Sequence, residues 1–432
     1  MTEYTMAELD QWNTLIEELV QAAGLDCYEQ HFEICNYEDM LCYEAYVGMP
    51  SHYPHWSFGK SYERQKMYYQ YNLAGLPYEM VINSDPCLAY LMKDNTLLLQ
   101  ILTMAHVYGH NDFFKNNRLF TRDTRADLTL EMFKCHADRV RSFIQDPSIG
   151  PEKVERIIDA AHALRYQIPR NGVNSAPATR GEQAKEELIG MPERFKNDLL
   201  GFLAERGKLA DWERHLVNIV REETMYFIPQ IETKIMNEGW ASYWHYNVLN
   251  DLKMPQALHL EFLQCHNNVI RPHLGRINPY FVGFKMFEYL DKQHGRDFIL
   301  AVRASERDQS FIRRYLNQEL CSELHLFNYK PEDDNIVISA VADEEGWKEI
   351  RDELANSVGL GNIPAICPKD IDKGTLILEH LYDGRELEMT YANETLKYAV
   401  DLWAGPVKLL TMLQDREKII YCDENKKISH IL

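Results

Sequence analysis

Two histidines one helical turn apart are the residues of this sequence best placed to do chemistry. His106 and His110 lie in the segment TLLLQILTMAHVYGHNDFF, which is apolar on nearly every side. Such a segment predicts a buried helix, with Asp94 or Asn95 as its N-cap. Side chains four residues apart share a helix face, so both imidazoles can reach one metal ion. Gly109 between them costs about 1 kcal/mol relative to Ala, which indicates a packing or site requirement. The alternative is a pair of core histidines bonded to backbone carbonyls.

A third candidate ligand lies far downstream, in the aromatic segment NEGWASYWH. Glu238, Ser242 and His245 follow the spacing i, i+4, i+7 and therefore share one face of a predicted helix. Two histidines from one helix and a glutamate from a later one form a common catalytic zinc set. We therefore expect the donor atoms of Glu238 and the two histidines to lie within roughly 5 Å of one another. The alternative is a buried Glu238 in an ion pair with Arg221 or Arg271.

The general base of the familiar zinc motifs is missing. Val107 stands where an HExxH motif has its glutamate, and Gly109 stands where an HxxEH motif has it. A hydrolase would have to recruit its base from another segment, and the sequence offers four candidates: Glu79, Glu222, Glu223 and His245. His245 is preferred because its ordinary pKa of about 6.5 suits proton transfer near neutral pH. Glu79, on a predicted strand that borders the cleft, is the second choice.

Composition restricts the class of protein. The 432 residues carry a formal net charge of −20, which disfavours sequence-independent binding to nucleic acid and docking on an anionic membrane. The N-terminal segment is acidic where a signal peptide is basic, and no long apolar run predicts a membrane span. Nine cysteines are dispersed without a CxxC pair, a pattern typical of reduced thiols. These features predict a cytoplasmic protein.

Patterning along the chain predicts an α+β fold in two domains. Residues 6–36 read as a helical start, residues 44–61 as an ordered loop carrying His52 and His55, and residues 78–83 as one strand that a helix follows. Predicted helices dominate from residue 96 to residue 165 and from residue 192 to residue 318. Between them lies a small, polar segment, 171–187, which predicts a disordered linker.

The pattern changes from helical to alternating near residue 320. Two helical stretches, 344–357 and 393–403, are interleaved with short predicted strands at 324–329, 335–341, 375–381, 386–390, 407–412 and 418–422. We therefore expect a mainly helical domain over residues 1–318 and a small α+β domain over residues 319–432, with its sheet covered on one face by two helices.

Five long segments resemble the stage V sporulation protein R (SpoVR) family, and the resemblance runs essentially from end to end. The segments are GMPSHYPHWSFGKSYE (48–63), YNLAGLPYEMVINSDPCLAYL (71–91), ILTMAHVYGHNDFFKNN (101–117), MNEGWASYWHYNVL (236–249) and INPYFVGFKMFE (277–288). The resemblance implies a role in forming the peptidoglycan cortex of bacterial endospores. In bacteria that make no spores it implies a stress or starvation role beside a serine protein kinase of the PrkA type.

The pairing of HVYGH with NEGWASYWH is also similar to the zinc-binding layout of gluzincin-like metallopeptidases. That likeness implies a zincin-like helical body in which His106, His110 and Glu238 hold Zn²⁺. Two functions remain open at this point. One is a non-catalytic factor of spore or stress physiology that keeps a metal core, which the missing base at Val107 favours. The other is a metal-dependent hydrolase of the peptidase or cell-wall-precursor amidase type, which the crowding of aromatic residues and histidines favours.

Overall fold

A computed structural model describes residues 4–71, 75, 77–170, 193–273, 276–332 and 335–431. The chain is α+β and mostly helical. Its first helices and strands are α1 (Met6–Ala22), β1 (Gln30–Cys35), α2 (Tyr37–Ala45), α3 (Trp56–Gln70), β2 (Glu79–Ile82), β3 (Cys87–Met92), α4 (Leu97–Asn116), α5 (Arg118–Asp123), α6 (Thr129–Gln145) and α7 (Pro151–Leu164).

The remaining elements begin after residue 192. They are α8 (Leu199–Arg206), α9 (Asp211–Glu232), α10 (Lys234–Asp251), α11 (Gln256–Val269), α12 (Pro279–His294), α13 (Arg296–Ser305), α14 (Asp308–Tyr315), α15 (Gln318–Glu323), β4 (Asn328–Glu332), β5 (Asn335–Ala340), α16 (Gly346–Ser357), β6 (Ile366–Asp372), β7 (Thr375–His380), α17 (Met389–Trp403), β8 (Val407–Leu413), β9 (Arg416–Cys422) and β10 (Ile428–Ile431). The predicted linker at 171–187 lies outside the described residues.

The predicted helix around the two histidines forms as α4 and is buried on nearly all sides. Its N-cap is Thr96 instead of Asp94 or Asn95, because the Thr96 hydroxyl accepts a hydrogen bond from the Leu99 backbone N–H. A cap of this kind satisfies one of the N–H groups that have no partner inside the helix.

Small residues let α10 pack closely against two other helices. A Cβ atom on Gly109 would lie 2.6 Å from the Cα of Ala241, which explains why α4 carries a glycine between its histidines. On the other side of α10, a Cβ atom on Gly239 would lie 2.3 Å from the backbone of Gly283 in α12. Neither position has room for a side chain, so α4, α10 and α12 approach each other at glycine.

Two buried carboxylates fix α10 in place. Asp308 accepts hydrogen bonds from the backbone N–H groups of Ile235 and Met236 at 2.8 and 2.9 Å, and so caps the first turn of α10 from another segment. Asp112 of α4 accepts a hydrogen bond from the indole N–H of Trp240 at 2.8 Å. The register of α10 against α4 is therefore set by polar contacts as well as by packing.

Besides these helices, the chain forms a three-stranded sheet in the order β1-β3-β2. β1 runs parallel to β3, and β2 runs antiparallel to it. The sequence predicted β2 but assigned residues 30–35 to a helical start and did not predict β3. Tertiary pairing overrides the local pattern here, because β1 pairs with β3, a strand that lies far along the chain.

The chain divides into two compact units. Unit 1 contains residues 1–52, 56–132 and 229–361, and unit 2 contains residues 53–55, 133–228 and 362–432. This division differs from the predicted boundary between residues 318 and 319. The physical reason is that the segment from α15 to α16 packs into the apolar core of unit 1 through Leu320, Leu324, Ile350 and Leu354.

Unit 2 holds a five-stranded sheet in the order β10-β9-β8-β7-β6. Helix α17 connects β7 to its parallel neighbour β8, the crossover that parallel strands require. The predicted strands at 335–341, 375–381, 407–412 and 418–422 correspond to β5 of unit 1 and to β7, β8 and β9. The predicted strand at 386–390 was wrong: the Glu388 side chain accepts hydrogen bonds from the backbone N–H groups of Thr390 and Tyr391 and begins α17. None of the described helices is both long and apolar enough to cross a membrane.

Candidate metal centre

The two α4 histidines present the same ring nitrogen to one point. Nε2 of His106 and Nε2 of His110 lie 3.8 and 3.6 Å from one carboxylate oxygen of Glu238. Their Nδ1 atoms face away from it, since Nδ1 of His110 lies 2.9 Å from Oδ1 of Asn237 and Nδ1 of His106 lies 2.9 Å from Nδ1 of His245. A second ring nitrogen held by a hydrogen bond fixes the orientation of the first, as in histidine ligands of metals.

The predicted convergence of His106, His110 and Glu238 is therefore present as geometry. Two donors bound at about 2.1 Å to a tetrahedral zinc ion are about 3.4 Å apart. The Glu238 oxygen lies 3.6 and 3.8 Å from the two ring nitrogens, close to that spacing. The donors are therefore separated by about the distance expected when they bind one metal ion.

Glu79 brings a second carboxylate to the cluster from β2. One oxygen of Glu79 and one ring nitrogen each of His106 and His110 all lie within 4.8 Å of one another. The cluster has a donor set that could hold a metal ion.

Burial acts on the pKa values of both carboxylates of the cluster. It raises the pKa of Glu79, and the neighbouring His106 only partly offsets the rise. It also raises the pKa of Glu238, but the nearby His106 and His110 outweigh burial, so the net shift of the Glu238 pKa is downward. The lower pKa favours the anionic form of Glu238, the form that a metal ligand needs.

A chain of three imidazoles leads away from the cluster. Nδ1 of His245 faces His106, and Nε2 of His245 lies 2.7 Å from Nδ1 of His266 in α11. Both ring nitrogens of His245 are therefore engaged by other histidines. Burial lowers the pKa of His245 well below its ordinary value, and it lowers those of His110 and His266 to about 4. These imidazoles are neutral near pH 7.

Tyr280, in the first turn of α12, closes the cluster on another side. Its ring lies nearly parallel to that of His106, with centroids 6.1 Å apart. The negative charge of Glu238 and burial raise the pKa of Tyr280 above its ordinary value. The phenol therefore stays protonated near neutral pH.

The cluster opens into a cavity of about 610 Å³. His106, Glu238, Glu79 and His245 contribute to its wall. Its other lining residues are Tyr78, Leu99, Leu102, Lys234, Cys265, Asn268, Val269, His273, Arg276, Ile277, Asn278, Pro279 and Tyr280. A volume of this size suits a small molecule or a short stretch of polymer.

Several other candidate residues from the sequence lie elsewhere. Glu222 and Glu223 both contact His136 in unit 2, at 3.3 and 3.1 Å. Arg221 forms an ion pair with Asp198, and Glu238 contacts the two histidines instead.

The two loop histidines have other contacts. His55 contacts Asp159 at 3.1 Å, and His52 packs against the rings of Tyr46 and Phe58.

The sequence did not single out three of the residues around the cluster. Asn237 and Tyr280 had local signals, since Asn237 directly precedes the candidate ligand and Tyr280 follows the Asn278-Pro279 start of a helix. His266 lies near a helix end, and its contact with His245 depends on how α11 packs. No spacing rule within one segment predicts that contact.

The comparisons with known proteins agree on one family. A family model described as SpoVR like protein matches residues 3–189 and 172–363. A protein of Escherichia coli (strain K12) named "Uncharacterized protein YcgB" is 33% identical over 480 residues, covering 96% of this chain and 93% of that protein. No solved structure matches the chain.

Proposed function

The chain belongs to the SpoVR family, and we propose that it is a metal-dependent hydrolase whose zinc ion is held by His106, His110 and Glu238. The observation that carries this proposal is the position of Glu79. The sequence lacks a general base beside its histidines, and β2 brings a carboxylate to within 4.8 Å of both of them. The strongest argument against catalysis is thereby removed.

The layout of the donors supports a zincin-like arrangement. Two histidines come from α4, and the glutamate comes from α10, which packs directly against α4 through Gly109 and Ala241. The donor set of two imidazoles and one carboxylate is typical of catalytic zinc sites, which keep a further position open. Glu79, His106 and Glu238 line the cavity of about 610 Å³.

Each residue of the centre has a distinct role in amide hydrolysis. Zinc, when bound, supplies Lewis-acid polarisation of a carbonyl oxygen. Glu79 takes a proton from a water molecule as the water oxygen bonds to the carbonyl carbon, and returns that proton to the nitrogen as the C–N bond breaks. Asn237 holds His110 in position through its contact with Nδ1.

His245 fits a positioning role better than proton abstraction. Its two ring nitrogens lie at hydrogen-bond distance from His106 and His266, so it has no lone pair directed at the cavity. By this arrangement it orients His106, and Glu79 becomes the preferred base.

One observation favours a second function, a non-catalytic factor with a structural metal core. The Glu79 oxygen is close enough to both α4 histidines to act as a fourth ligand. Four protein donors would close the coordination sphere, as in structural zinc sites. The two functions therefore differ in whether Glu79 binds the metal.

The biological setting we propose is the one that family membership implies. It is a cytoplasmic role in cortex formation, or in stress and starvation physiology, together with a PrkA-type serine protein kinase. Family membership supports this setting. Affinity purification of the chain from its host during starvation should recover that kinase, and its absence from repeated purifications would contradict the link.

The decisive experiment for catalysis uses zinc-loaded protein and two probes, a synthetic peptide mixture and a muramoyl peptide. New amines released from either probe are detected by mass spectrometry. We expect Glu79→Gln to lower the rate by at least about 100-fold, the usual contribution of a general base, with its zinc content unchanged. Glu33→Gln, an exposed glutamate on β1 of the same sheet, is the matched control and should keep the full rate.

Two results would contradict the proposal. If Glu79→Gln loses zinc along with Glu238→Gln, Glu79 is a ligand and the centre is closed, in favour of the non-catalytic factor. If neither probe is cleaved although zinc is bound and the cavity is intact, the chain either hydrolyses other amides or is not a hydrolase. Equal behaviour of Glu79→Gln and Glu238→Gln would then decide against a hydrolase.

A further inference from the structure

Two cationic side chains line the cavity beside the candidate metal centre. Lys234 and Arg276 both contribute to its wall, and both are exposed. Among the described residues, neither has an ion-pair partner within 4.0 Å. A third side chain of the same wall, His273, is also exposed. In a chain of formal net charge −20, these cations offset the two carboxylates of the same cavity wall.

The fold places both cations relative to the centre. Lys234 is the first residue of α10, one helical turn before Glu238 and on the same face. The segment that carries Arg276 is tied down by Asn278, whose side-chain amide donates to the backbone carbonyls of Val269 and Arg271 at 2.9 Å each. The same Asn278 caps α12 just before Tyr280. Each cation is therefore attached to an element that also holds the cluster.

The rest of the cavity wall is largely apolar. Leu99 and Leu102 of α4, Val269 of α11, and Ile277 and Pro279 of the following segment line it. Apolar walls with a few placed polar groups bind ligands that combine a neutral body with a polar end. The cations supply the polar end here.

The two cations change the electrostatic field of the cavity. Glu79 and Glu238 bring two carboxylates to the cavity, and their field alone would repel an anion. With a divalent metal bound, the metal, Lys234 and Arg276 together outweigh the two carboxylates. A cavity of that charge attracts anions in a protein whose overall charge repels them.

We propose that the substrate is an acyl compound with an anionic group, a carboxylate or a phosphate, which Lys234 and Arg276 bind while the acyl carbonyl faces the cluster. This inference rests on the proposed function, because it takes the metal centre as the place of reaction. Arg276 offers a planar fork of donors to a carboxylate or phosphate, and Lys234 offers a point charge. Together they select anionic over neutral substrates of the same shape.

The test uses pairs of hydroxamates, which chelate zinc, on zinc-loaded full-length protein. One member of each pair ends in a carboxylate and the other in a methyl group, with two to five methylenes between the ends. A third series ends in a phosphonate. Isothermal titration calorimetry gives the dissociation constants. We expect an anionic member of optimal length to bind at least tenfold more tightly than its neutral partner.

Substitutions identify the side chains responsible. Lys234→Met and Arg276→Met should each remove most of the tenfold preference and leave the neutral hydroxamates unaffected. Lys253→Met, which replaces an exposed lysine outside the cavity wall in the same unit, should change nothing. Because all three side chains are exposed, the variants should fold normally, which thermal melting checks.

The outcomes separate this inference from the function it rests on. Equal binding of anionic and neutral hydroxamates in every series would overturn the anionic substrate and leave the metal centre standing. Failure of all hydroxamates to bind, with no zinc in the protein, would overturn both. A preference confined to the carboxylate or to the phosphonate series identifies which anion the cavity takes.

Discussion

The two units each contain a cluster of histidine and glutamate, and the clusters have opposite character. In unit 1, His106 and His110 share a carboxylate with each other, and His245 and His266 extend the row of imidazoles. In unit 2, a single imidazole, His136, lies between two carboxylates.

The pKa shifts follow from the numbers of imidazoles and carboxylates in each cluster. Burial and neighbouring imidazoles lower the pKa of His110 to about 4. Burial lowers the pKa of His136 too, but its hydrogen bonds to Glu222 and Glu223 outweigh burial and raise it to about 9. Near pH 7 His136 therefore carries a proton that balances the charge of its carboxylates, whereas His110 does not. Lone pairs that converge without a proton are a place for a metal ion, whereas a protonated imidazole between carboxylates is an ion pair.

The largest expected effect is on metal content. His110→Ala removes a ligand and should reduce zinc from about one ion per chain to almost none, measured by mass spectrometry of protein purified without a tag or chelator. His136→Ala is the matched substitution in unit 2 and should leave zinc unchanged. Equal loss of zinc in both variants would contradict the distinction between the two clusters.

Acidification should destabilise the metal-free protein. The pKa values of His110 and His266 are about 4 in the fold against an ordinary 6.5. Between these values the unfolded state binds protons that the folded state does not, so stability falls as pH falls from 6.5 towards 4. Each histidine contributes about 2 kcal/mol of loss by pH 5, measurable by urea unfolding.

His136 should show the opposite sign. Its pKa, raised to about 9, gives a stabilisation that is fully present below pH 6.5 and is lost as pH rises through 9. Imidazole NMR should therefore find His136 charged at pH 7.5 and His110 neutral at pH 5.5. Matching titrations of the two residues near pH 6.5 would contradict the comparison.

Close helix packing should be the next most sensitive feature. Gly239→Ala forces a methyl group against the Gly283 backbone at 2.3 Å and should destabilise unit 1 by about 1–3 kcal/mol. Gly59→Ala in α3, where nothing lies within 4 Å, should instead stabilise the protein by about 0.5–1 kcal/mol. Thermal unfolding distinguishes the two, and a neutral Gly239→Ala would mean that α10 and α12 do not need this contact.

The smallest expected effect comes from the support of His110. Asn237→Ala removes the acceptor 2.9 Å from Nδ1 of His110 and should weaken zinc binding by about 10–100-fold without abolishing it. Asn247→Ala removes a hydrogen bond to the backbone of the same helix and serves as the control. Competition with a zinc-binding dye gives the zinc affinities of both variants. Indistinguishable affinities would show that His110 does not need Asn237 for its orientation.

Much of the centre could be predicted because its signals are local. His106 and His110 share one helix face by spacing alone, and Gly109 marked a close approach before any partner was known. Glu238 emerged from its own segment by the same spacing logic. The role of Glu79 could not be predicted with equal force, because it depends on β2 pairing with β3, which the sequence did not predict as a strand.

The division of the chain was the least predictable feature. The change of pattern near residue 320 does mark a change from helices to mixed elements. However, Leu320 and Ile350 pack into the core of unit 1, while the helices of residues 133–228 are grouped with the C-terminal sheet. Such grouping depends on packing between segments more than a hundred residues apart, which periodicity does not encode.

Zinc content measured side by side in Glu238→Gln and Glu79→Gln tests the central claim most directly. The account predicts that Glu238→Gln loses its zinc, because the anionic ligand shared by His106 and His110 is gone. It predicts that Glu79→Gln retains about one zinc ion per chain. Retention of zinc by Glu238→Gln, or its loss from Glu79→Gln alone, would contradict the assignment of the ligands.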